Sequence, residues 1–349
     1  MQIKIGKRKI GKTHPVFIVA EMSGNHNKSF KRALKIVDAA AAAGVDAIKL
    51  QTYTPDTLTI DSNEKWFKIQ KGENWGGRTL YELYEEAYTP WAWHLKIKKY
   101  AEKKGLIFFS TPFDETAVNF LKNMKVPAYK VASFEIGDIE LLKKIGKQKK
   151  PVILSRGMAS KEEVKIAIKT LRKSGAKQIA ILHCVSSYPA KPEEMNLATI
   201  LDIAKRFKVV SGLSDHTLGI TAAIASVALG ASIIEKHVTL SRSDGGPDSK
   251  FSLEPKELKE MVSSIREAEK AIGKPFYRVS KSEEENDKFK RSLFSVKDIK
   301  KGHKFTKDNI RSIRPGYGLA PKYYNDIIGK SSSADIKKHT PLNWKLISK

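Results

Sequence analysis

Two histidines occupy corresponding places in the chain, each at the end of an apolar, strand-like run. His216 follows the run that ends Gly212-Leu-Ser-Asp215, and His237 follows Ser232-Ile-Ile-Glu-Lys236. If the two runs are adjacent strands, both imidazoles point to one spot and, with water or substrate oxygens, suit a divalent ion such as manganese. The alternative is a pair of core histidines hydrogen-bonded to the neighbouring acids, Asp215 and Glu235.

Lysines stand at the ends of three strand-like runs. Lys49, Lys130 and Lys236 are each expected near serines such as Ser155 and Ser214. Ammonium groups beside hydroxyl donors would hold a phosphate or a carboxylate. Alternatively, one lysine could form a Schiff base with a carbonyl substrate, as in a metal-free aldolase. The grouping of lysines with Ser and Thr favours the anion pocket, and borohydride trapping separates the two hypotheses.

Two carboxylates on separate runs, Glu21 and Glu135, could serve as acid and base around a reacting water. Salt bridges to the neighbouring lysines are the structural alternative. The single cysteine, Cys184, is expected to pack in the core. One cysteine excludes an intrachain disulfide framework and a multi-cysteine metal site, and it favours the cytoplasm as the compartment.

Eight strand-like runs alternate with helical patterns along most of the chain. Their near-continuous apolar character predicts a parallel sheet that is buried on both faces. Eight β/α units predict a (β/α)8 TIM barrel, whose active site lies at the carboxyl ends of the strands. An open doubly wound sheet is disfavoured, because no Gly-rich phosphate turn follows the first run. The runs are 16–21, 47–51, 106–111, 128–133, 151–155, 178–183, 209–214 and 232–237.

The interval 52–89 is predicted to be a long loop between the second strand and its helix. Trp66, Trp75, Gly76-Gly77 and a turn at 81–84 lie in it. Loops of this length are usually functional or disordered. The aromatic residues favour an ordered lid or wall over the site, with packing against the barrel rim as the alternative.

A change in composition after residue 275 predicts a second, smaller domain. Residues 276–290 are charged and read as a linker, whereas 291–349 contain short strand patterns and the turn cluster Arg314-Pro-Gly-Tyr-Gly. We therefore assign the barrel to 1–275 and the small domain to 291–349. About sixty residues are marginal for independent stability, so docking onto a barrel is expected.

The formal net charge of +26 over 349 residues requires an explanation. A basic nucleic-acid-binding barrel is one hypothesis, because such proteins neutralise phosphates. Lysines are instead spread from end to end, which favours solvated helix faces and attraction of small acidic substrates. We expect neither a nucleic acid nor a membrane as partner, since no segment is typical of a signal peptide or a membrane span.

Several motifs together resemble the N-acetylneuraminate (sialic acid) synthase family. The segment 291–349 is similar to the C-terminal antifreeze-like (SAF, β-clip) domain of that family. Within the family, residues 52–59, 88–93, 185–190 and 248–255 look most like pseudaminic acid synthases. The motifs are Ala20-Glu-Met-Ser-Gly-Asn-His-Asn27, Lys49-Leu-Gln-Thr-Tyr53, Tyr129-Lys-Val-Ala-Ser-Phe-Glu135, Gly212-Leu-Ser-Asp-His-Thr217, Glu235-Lys-His237 and Gly246-Pro-Asp248.

This resemblance implies a metal-dependent condensation of phosphoenolpyruvate with 2,4-diacetamido-2,4,6-trideoxy-L-altrose. The products are phosphate and a nine-carbon ulosonic acid. The metal is Mn²⁺, with Mg²⁺ or Co²⁺ as alternatives, and it polarises the sugar aldehyde. A synthase for N-acetylneuraminate or legionaminic acid, acting on a related N-acetylated sugar, is the alternative specificity.

The resemblance also implies roles for individual residues. His216 and His237 hold the metal, and Glu21 orients or activates the water that adds at C2. Arg314 reaches into the barrel of a partner subunit, which implies a domain-swapped homodimer. Ser186 stands where neuraminate synthases carry asparagine, which fits a different sugar. Phosphoenolpyruvate is held by Lys49, Thr111, Lys130, Ser133, Ser155, Ser186 and Ser214, and the sugar faces Gln51, Glu135, Tyr188 and Asp248.

Overall fold

The computed structural model describes residues 1–70 and 75–348, and the chain divides into two units, Met1–Gly273 and Lys274–Lys349. In the N-terminal unit, eight parallel strands close into a barrel, which confirms the predicted architecture. Each strand pairs with the next along the chain, and the last pairs with the first. A hairpin of β1 (Gln2–Ile5) and β2 (Arg8–Gly11) precedes the barrel. The barrel strands are β3 (Phe17–Glu21), β4 (Ala47–Thr52), β5 (Ile107–Pro112), β6 (Tyr129–Val131), β7 (Val152–Ser155), β8 (Ile179–His183), β9 (Val210–Asp215) and β10 (Ile233–His237).

Alternation along each strand separates the barrel interior from the layer beneath the helices. In β10, Ile233 packs with the interior cluster, whereas Ile234 packs with the cluster that faces the helices. The interior cluster also includes Ile3, Ile5 and Ile10 of the hairpin. These side chains extend the barrel core beyond the amino ends of its strands, and sequence reasoning did not predict this hairpin.

Helices follow the strands and cover the barrel with their apolar faces. Local signals begin several of them: the Ser29 hydroxyl accepts from the backbone N–H of Arg32, and Ser160 forms a capping box with Glu163. The helices are α1 (Phe30–Ala43), α2 (Pro55–Leu58), α3 (Leu80–Ala87), α4 (Trp91–Lys103), α5 (Glu115–Asn123), α6 (Ile139–Gly146), α7 (Lys161–Lys173), α8 (Thr199–Phe207), α9 (Thr221–Ala228) and α10 (Pro255–Ile272).

The prediction of one long loop at 52–89 was wrong, because α2 and α3 lie within it. The presumed turn at 81–84 belongs to α3, where Thr79 and Glu82 form a capping box and Leu83 is buried. Trp66 is 76% exposed, and the cavity at the carboxyl ends of the strands is lined by Trp75 instead. Residues 71–74 of this interval lie outside the described part of the chain.

The C-terminal unit has the short strands and turns that the sequence predicts. Strands β11 (Ser292–Ser295) and β12 (Ile310–Ile313) pair antiparallel, and a short helix, α11, spans Tyr324–Ile327. Leu293 and Phe305 belong to its own small apolar core. No helix among the described residues of either unit is long and apolar enough to cross a bilayer.

Candidate active site

A cavity of about 820 Å³ opens at the carboxyl ends of the barrel strands. Every second side chain of a strand points into the barrel. Residues predicted for the site on different strands can therefore line the same cavity. Glu21 lies behind Lys49 rather than among the described residues that line the cavity, and Arg314 is an exposed residue of the C-terminal unit. The predicted residues that line the cavity are Lys49, Gln51, Thr111, Lys130, Ser133, Glu135, Ser155, Ser186, Tyr188, Ser214, His216, His237 and Asp248.

Two buried lysines converge on one carboxylate at the base of the cavity. Lys49 Nζ lies 3.6 Å and Lys130 Nζ lies 3.4 Å from Oε1 of Glu235. The Ser214 hydroxyl donates to the same oxygen at 3.2 Å. Burial opposes the charge of Glu235, but Lys130 and Lys49 outweigh it and lower its pKa. Burial lowers the pKa of Lys130. Sequence reasoning assigned Glu235 no site role, although its position two residues before His237 places both side chains on the same strand face.

Glu21 forms a second ion pair with Lys49 and accepts from the backbone N–H of Ser23 at 3.1 Å. Burial, together with the charge of Glu235, raises the pKa of Glu21 to about 7 despite Lys49. Burial works against the Lys49 ammonium, but the two carboxylates outweigh it and raise its pKa. Lys49 therefore stays cationic between Glu21 and the cavity.

Lys236 does not join this lysine cluster, contrary to the predicted group of three. It is fully buried on the opposite face of β10, where Nζ lies 2.8 Å from Oδ2 of Asp215. Nζ also donates to the carbonyl oxygen of Thr217 at 2.5 Å. Because strand neighbours point to opposite faces, a lysine next to His237 must leave the barrel interior.

Hydroxyl groups complete the surroundings of the two ammonium groups. Lys130 Nζ donates to the Ser155 hydroxyl at 2.7 Å, and Lys49 Nζ donates to that of Thr111 at 3.2 Å. Hydroxyls can turn toward a bound anion and donate to it. The arrangement is therefore suited to a small acid that carries more than one negative charge.

Ser133 and Ser186 meet at the cavity wall, with their Oγ atoms 2.9 Å apart. Gly157 allows this approach. A Cβ on Gly157 would lie 2.3 Å from Cβ of Ser133 and 2.8 Å from Oγ of Ser186, and its φ of +47° favours glycine.

The two histidine rings are neighbours at the cavity, with ring centroids 5.5 Å apart and an edge-to-face orientation. His216 Nδ1 lies 2.8 Å from the Val185 carbonyl oxygen, which can only accept, so Nδ1 carries the proton and Nε2 keeps a free lone pair. Asp215 is occupied by Lys236 and Thr217, so it is not the partner of His216. His237 Nδ1 is buried without a hydrogen-bond partner.

Both imidazoles are held in the neutral form that binds metals. Burial lowers the pKa of His216, and burial together with His216 and Lys49 lowers the pKa of His237 well below its usual value. An unpaired buried nitrogen and a free Nε2 fit a divalent ion with two protein ligands. The described residues contain no group of three or more His, Cys, Asp or Glu arranged for a metal, which leaves further positions to water or substrate oxygens.

Aromatic side chains pack around the histidines. Tyr188 lies over His216 with ring centroids 4.5 Å apart, and Phe251 lies 5.0 Å from His237. The ring of Trp75 lies 5.7 Å from that of Tyr188 and lines the cavity. Trp75 belongs to the interval 52–89, for which the sequence predicts a lid or wall. Cys184 is buried, as expected, but it also lines the cavity.

Polar side chains that line the cavity also include Glu135, Gln51 and Asp248. Burial raises the pKa of Glu135 to about 7, and its Oε2 is buried without a hydrogen-bond partner. A carboxyl with this pKa can give or take a proton near neutral pH. Gln51 and Asp248 are joined through Ser23, which sequence reasoning missed.

Comparison with known proteins agrees with this architecture. Residues 36–277 match the NeuB family model, and residues 290–348 match the SAF domain model. The pseudaminic acid synthase of Campylobacter jejuni serotype O:2 is 46% identical, over 92% of this chain and 94% of that protein. The pseudaminic acid synthase of Helicobacter pylori is 43% identical, over 94% and 97%. The crystal structure of the sialic acid synthetase from Leptospira borgpetersenii, in complex with citrate, superposes with a TM-score of 0.73 at 35% identity, covering 82% of this chain and 95% of that one.

Proposed function

The chain belongs to the NeuB family, and we propose that it is a phosphoenolpyruvate-dependent synthase acting on 2,4-diacetamido-2,4,6-trideoxy-L-altrose. The observation that carries the proposal is the juxtaposition of a two-lysine anion pocket with two neutral imidazoles in one cavity. An anionic nucleophile and a carbonyl electrophile can meet there. The names of the two relatives support pseudaminic acid as the product.

The lysine cluster fits the phosphate and carboxylate of phosphoenolpyruvate. Glu235 holds the ammonium groups of Lys49 and Lys130 at the cavity, where both can meet an anionic substrate. Ser155 and Thr111 add donors that can rotate toward its oxygens. This arrangement holds the enol carbon C3 in a fixed position without a covalent link to the protein.

A divalent ion, for which we propose Mn²⁺ with Mg²⁺ or Co²⁺ as alternatives, would supply a Lewis acid for the sugar aldehyde. Nε2 of His216 and the ring of His237 would hold it. Val185 fixes the tautomer of His216 through its carbonyl oxygen, and Tyr188 restricts the ring. Both contacts keep the nitrogen lone pair directed at one place.

The reaction forms one carbon–carbon bond and a bond from C2 to the oxygen of water, and it breaks the bond from C2 to the phosphate oxygen. C3 of phosphoenolpyruvate bonds to the aldehyde carbon, and the aldehyde oxygen takes a proton. Water adds at C2 and gives one proton back to Glu135. Phosphate then leaves C2 with the bridging oxygen and takes the remaining proton of the C2 hydroxyl, which leaves a ketone at C2. Glu135 lines the cavity and is suited to give the first proton. Glu21 acts through Lys49 and is therefore a positioning residue in this scheme.

The outer part of the cavity wall suits the methyl end of a 6-deoxy sugar. Leu58, Leu83, Ala87 and Phe113 line it. An additional sugar hydroxyl placed against these side chains would lose its hydrogen bonds to water. Sugars with a hydroxylated side chain are therefore expected to react more slowly.

The proposal is tested with purified protein, phosphoenolpyruvate, Mn²⁺ and a panel of N-acetylated sugars. Phosphate release and the mass of the product are measured. We expect the 2,4-diacetamido-2,4,6-trideoxy-L-altrose to be the preferred substrate. No turnover of this sugar, with turnover of an N-acetylneuraminate or legionaminate precursor, would instead assign the sister specificity. Borohydride added with the substrates should leave the mass of the protein unchanged, because the reaction needs no Schiff base that could be reduced to a covalent adduct.

We also propose a domain-swapped homodimer in which Arg314 of one chain serves the cavity of another. The resemblance of the C-terminal domain supports this role, and Arg314 is exposed in the turn after β12. Co-expression of Arg314→Ala and His216→Ala chains should restore activity, since one cavity of a mixed dimer keeps both residues. Mixed dimers as inactive as either parent would contradict the exchange.

A further inference from the structure

We propose that Ser23 is a positioning residue that sets how the cavity recognises the sugar; this inference rests on the proposed function. Ser23 follows β3, is 2% exposed and adopts a φ of +49°, which a serine rarely adopts. Its hydroxyl donates to Oδ2 of Asp248 and accepts from Nε2 of Gln51 at 3.1 Å. Its backbone N–H donates to Glu21. One small residue thus joins three groups from three separate segments.

The hydroxyl of Ser23 fixes the orientation of the Gln51 amide. A hydroxyl carries one hydrogen, and Ser23 donates its hydrogen to Oδ2 of Asp248. Gln51 must therefore direct its NH₂ group to Ser23. The opposite end of the amide, the carbonyl oxygen Oε1, is then the end available to a substrate in the cavity that Gln51 lines.

The resulting pattern presents hydrogen-bond acceptors to the sugar from two sides. Gln51 offers its carbonyl oxygen, and Asp248 offers carboxylate lone pairs that Ser23 does not use. Groups that donate, such as acetamido N–H or hydroxyl groups, fit this pattern. Ser23 would act through Gln51 and Asp248. Gln51 shares β4 with Lys49, but the ammonium groups of Lys49 and Lys130 pair with Glu21 and Glu235.

Removal of the hydroxyl should weaken sugar binding selectively. Without Ser23 Oγ, the Gln51 amide can flip and present NH₂, and Asp248 loses one of its donors and keeps the backbone N–H of Gly24. We expect Ser23→Ala to raise the KM for the sugar about tenfold or more, as hydrogen bonds to charged groups commonly do. The KM for phosphoenolpyruvate should stay within about twofold, because Lys49 and Lys130 donate to Thr111 and Ser155 and not to the hydroxyl that the substitution removes.

Two variants separate the hydroxyl from the backbone conformation. Ser23→Gly also removes the hydroxyl but favours the positive φ, so it should raise the sugar KM as Ser23→Ala does. Ser226→Ala is the matched control, since that buried hydroxyl donates only within α9, to Ala223, and its loss should leave both KM values unchanged. Circular dichroism checks that each variant is folded.

Steady-state kinetics with each substrate varied in turn decide the question. A selective rise of the sugar KM in both Ser23 variants supports the proposal. Wild-type sugar KM in either variant, or an equal rise for both substrates, would overturn it. If the wild-type protein releases no phosphate with any sugar of the panel, the proposed function itself fails and this inference fails with it.

Discussion

Replacement of Lys236 by methionine tests how the strands that carry the two histidines are held together. Lys236 and Asp215 are directly paired in the register of β10 and β9, each one residue before a histidine. Both side chains are fully buried, and Nζ lies 2.8 Å from Oδ2. Asp215 also accepts from the backbone N–H of Thr217 at 2.9 Å and from its hydroxyl at 2.8 Å.

Lys236→Met leaves the Asp215 carboxylate buried with hydrogen bonds from Thr217 but without its counter-charge. Removal of one partner of such a pair costs roughly 3–5 kcal/mol of unfolding free energy. The total stability of a domain is typically about 5–15 kcal/mol, so the loss is a large part of it. The double variant Lys236→Met/Asp215→Leu removes both charges, and it should recover most of the loss because no isolated charge remains.

The assay is urea-induced unfolding followed by near-UV circular dichroism. Lys143→Met is the matched control, because Lys143 and Glu140 form a pair of similar length, 2.7 Å, on the exposed surface. That variant should change stability little. A loss below about 1 kcal/mol for Lys236→Met would refute the reasoning that the pair is a required buried ion pair. A double variant no more stable than Lys236→Met would also refute it.

Four further predictions concern the cavity. Glu135 has a folded pKa of about 7 against an ordinary 4.5, so its stabilising contribution is complete below pH 4.5 and is lost as pH rises through 7. Denaturation at several pH values measures the free energy of unfolding of Glu135→Gln. Relative to the wild type it should rise between about pH 4.5 and pH 7, by at most about 3 kcal/mol. A difference that does not change with pH would contradict the raised pKa. Lys130→Met should raise the KM for phosphoenolpyruvate by more than about tenfold with little change for the sugar, as initial rates would show, because an anion contact is lost. Prolonged dialysis against a chelator should abolish phosphate release, and added Mn²⁺ should restore it; activity that survives metal removal would contradict the metal requirement. His216→Ala should abolish turnover and keep the barrel folded by circular dichroism, and retained turnover would remove that residue from the metal site.

The barrel could be predicted because its physical signal is local. Each buried strand is a short apolar run, and the order of the runs along the chain is their order around the barrel. The positions of His216 and His237 at strand ends followed directly from this pattern. The helix α10 has a similarly local signal, because Pro255 begins it and a regular apolar pattern continues to Ile272.

Parity along a strand explains the errors within β10. Glu235 and His237 share the inward face, whereas Lys236 points outward to Asp215. The predicted lysine group took residues by their nearness to the strand end and ignored which face of the strand each occupies. It therefore included Lys236 and left out Glu235. The helix α3 was missed for a similar reason, since the capping-box pair Thr79 and Glu82 was present in the sequence but not used.

Contacts between distant segments could not be predicted from one sequence. Ser23 and Asp248 are 225 positions apart, and neither residue type alone indicates the other. The hydrogen bond from His216 to Val185 depends on how two loops meet above the barrel. These contacts follow from closure of the whole barrel rather than from local propensity.

Manganese binding tests the central claim most directly. Electron paramagnetic resonance of Mn²⁺ titrated into the metal-free protein reports the bound fraction, with and without phosphoenolpyruvate. We predict a single tight ion in the wild type, weakened at least about a hundredfold in His216→Ala and in His237→Ala, because each loses one of only two protein ligands. Mn²⁺ binding of wild-type strength in either folded variant would show that these imidazoles do not hold the metal.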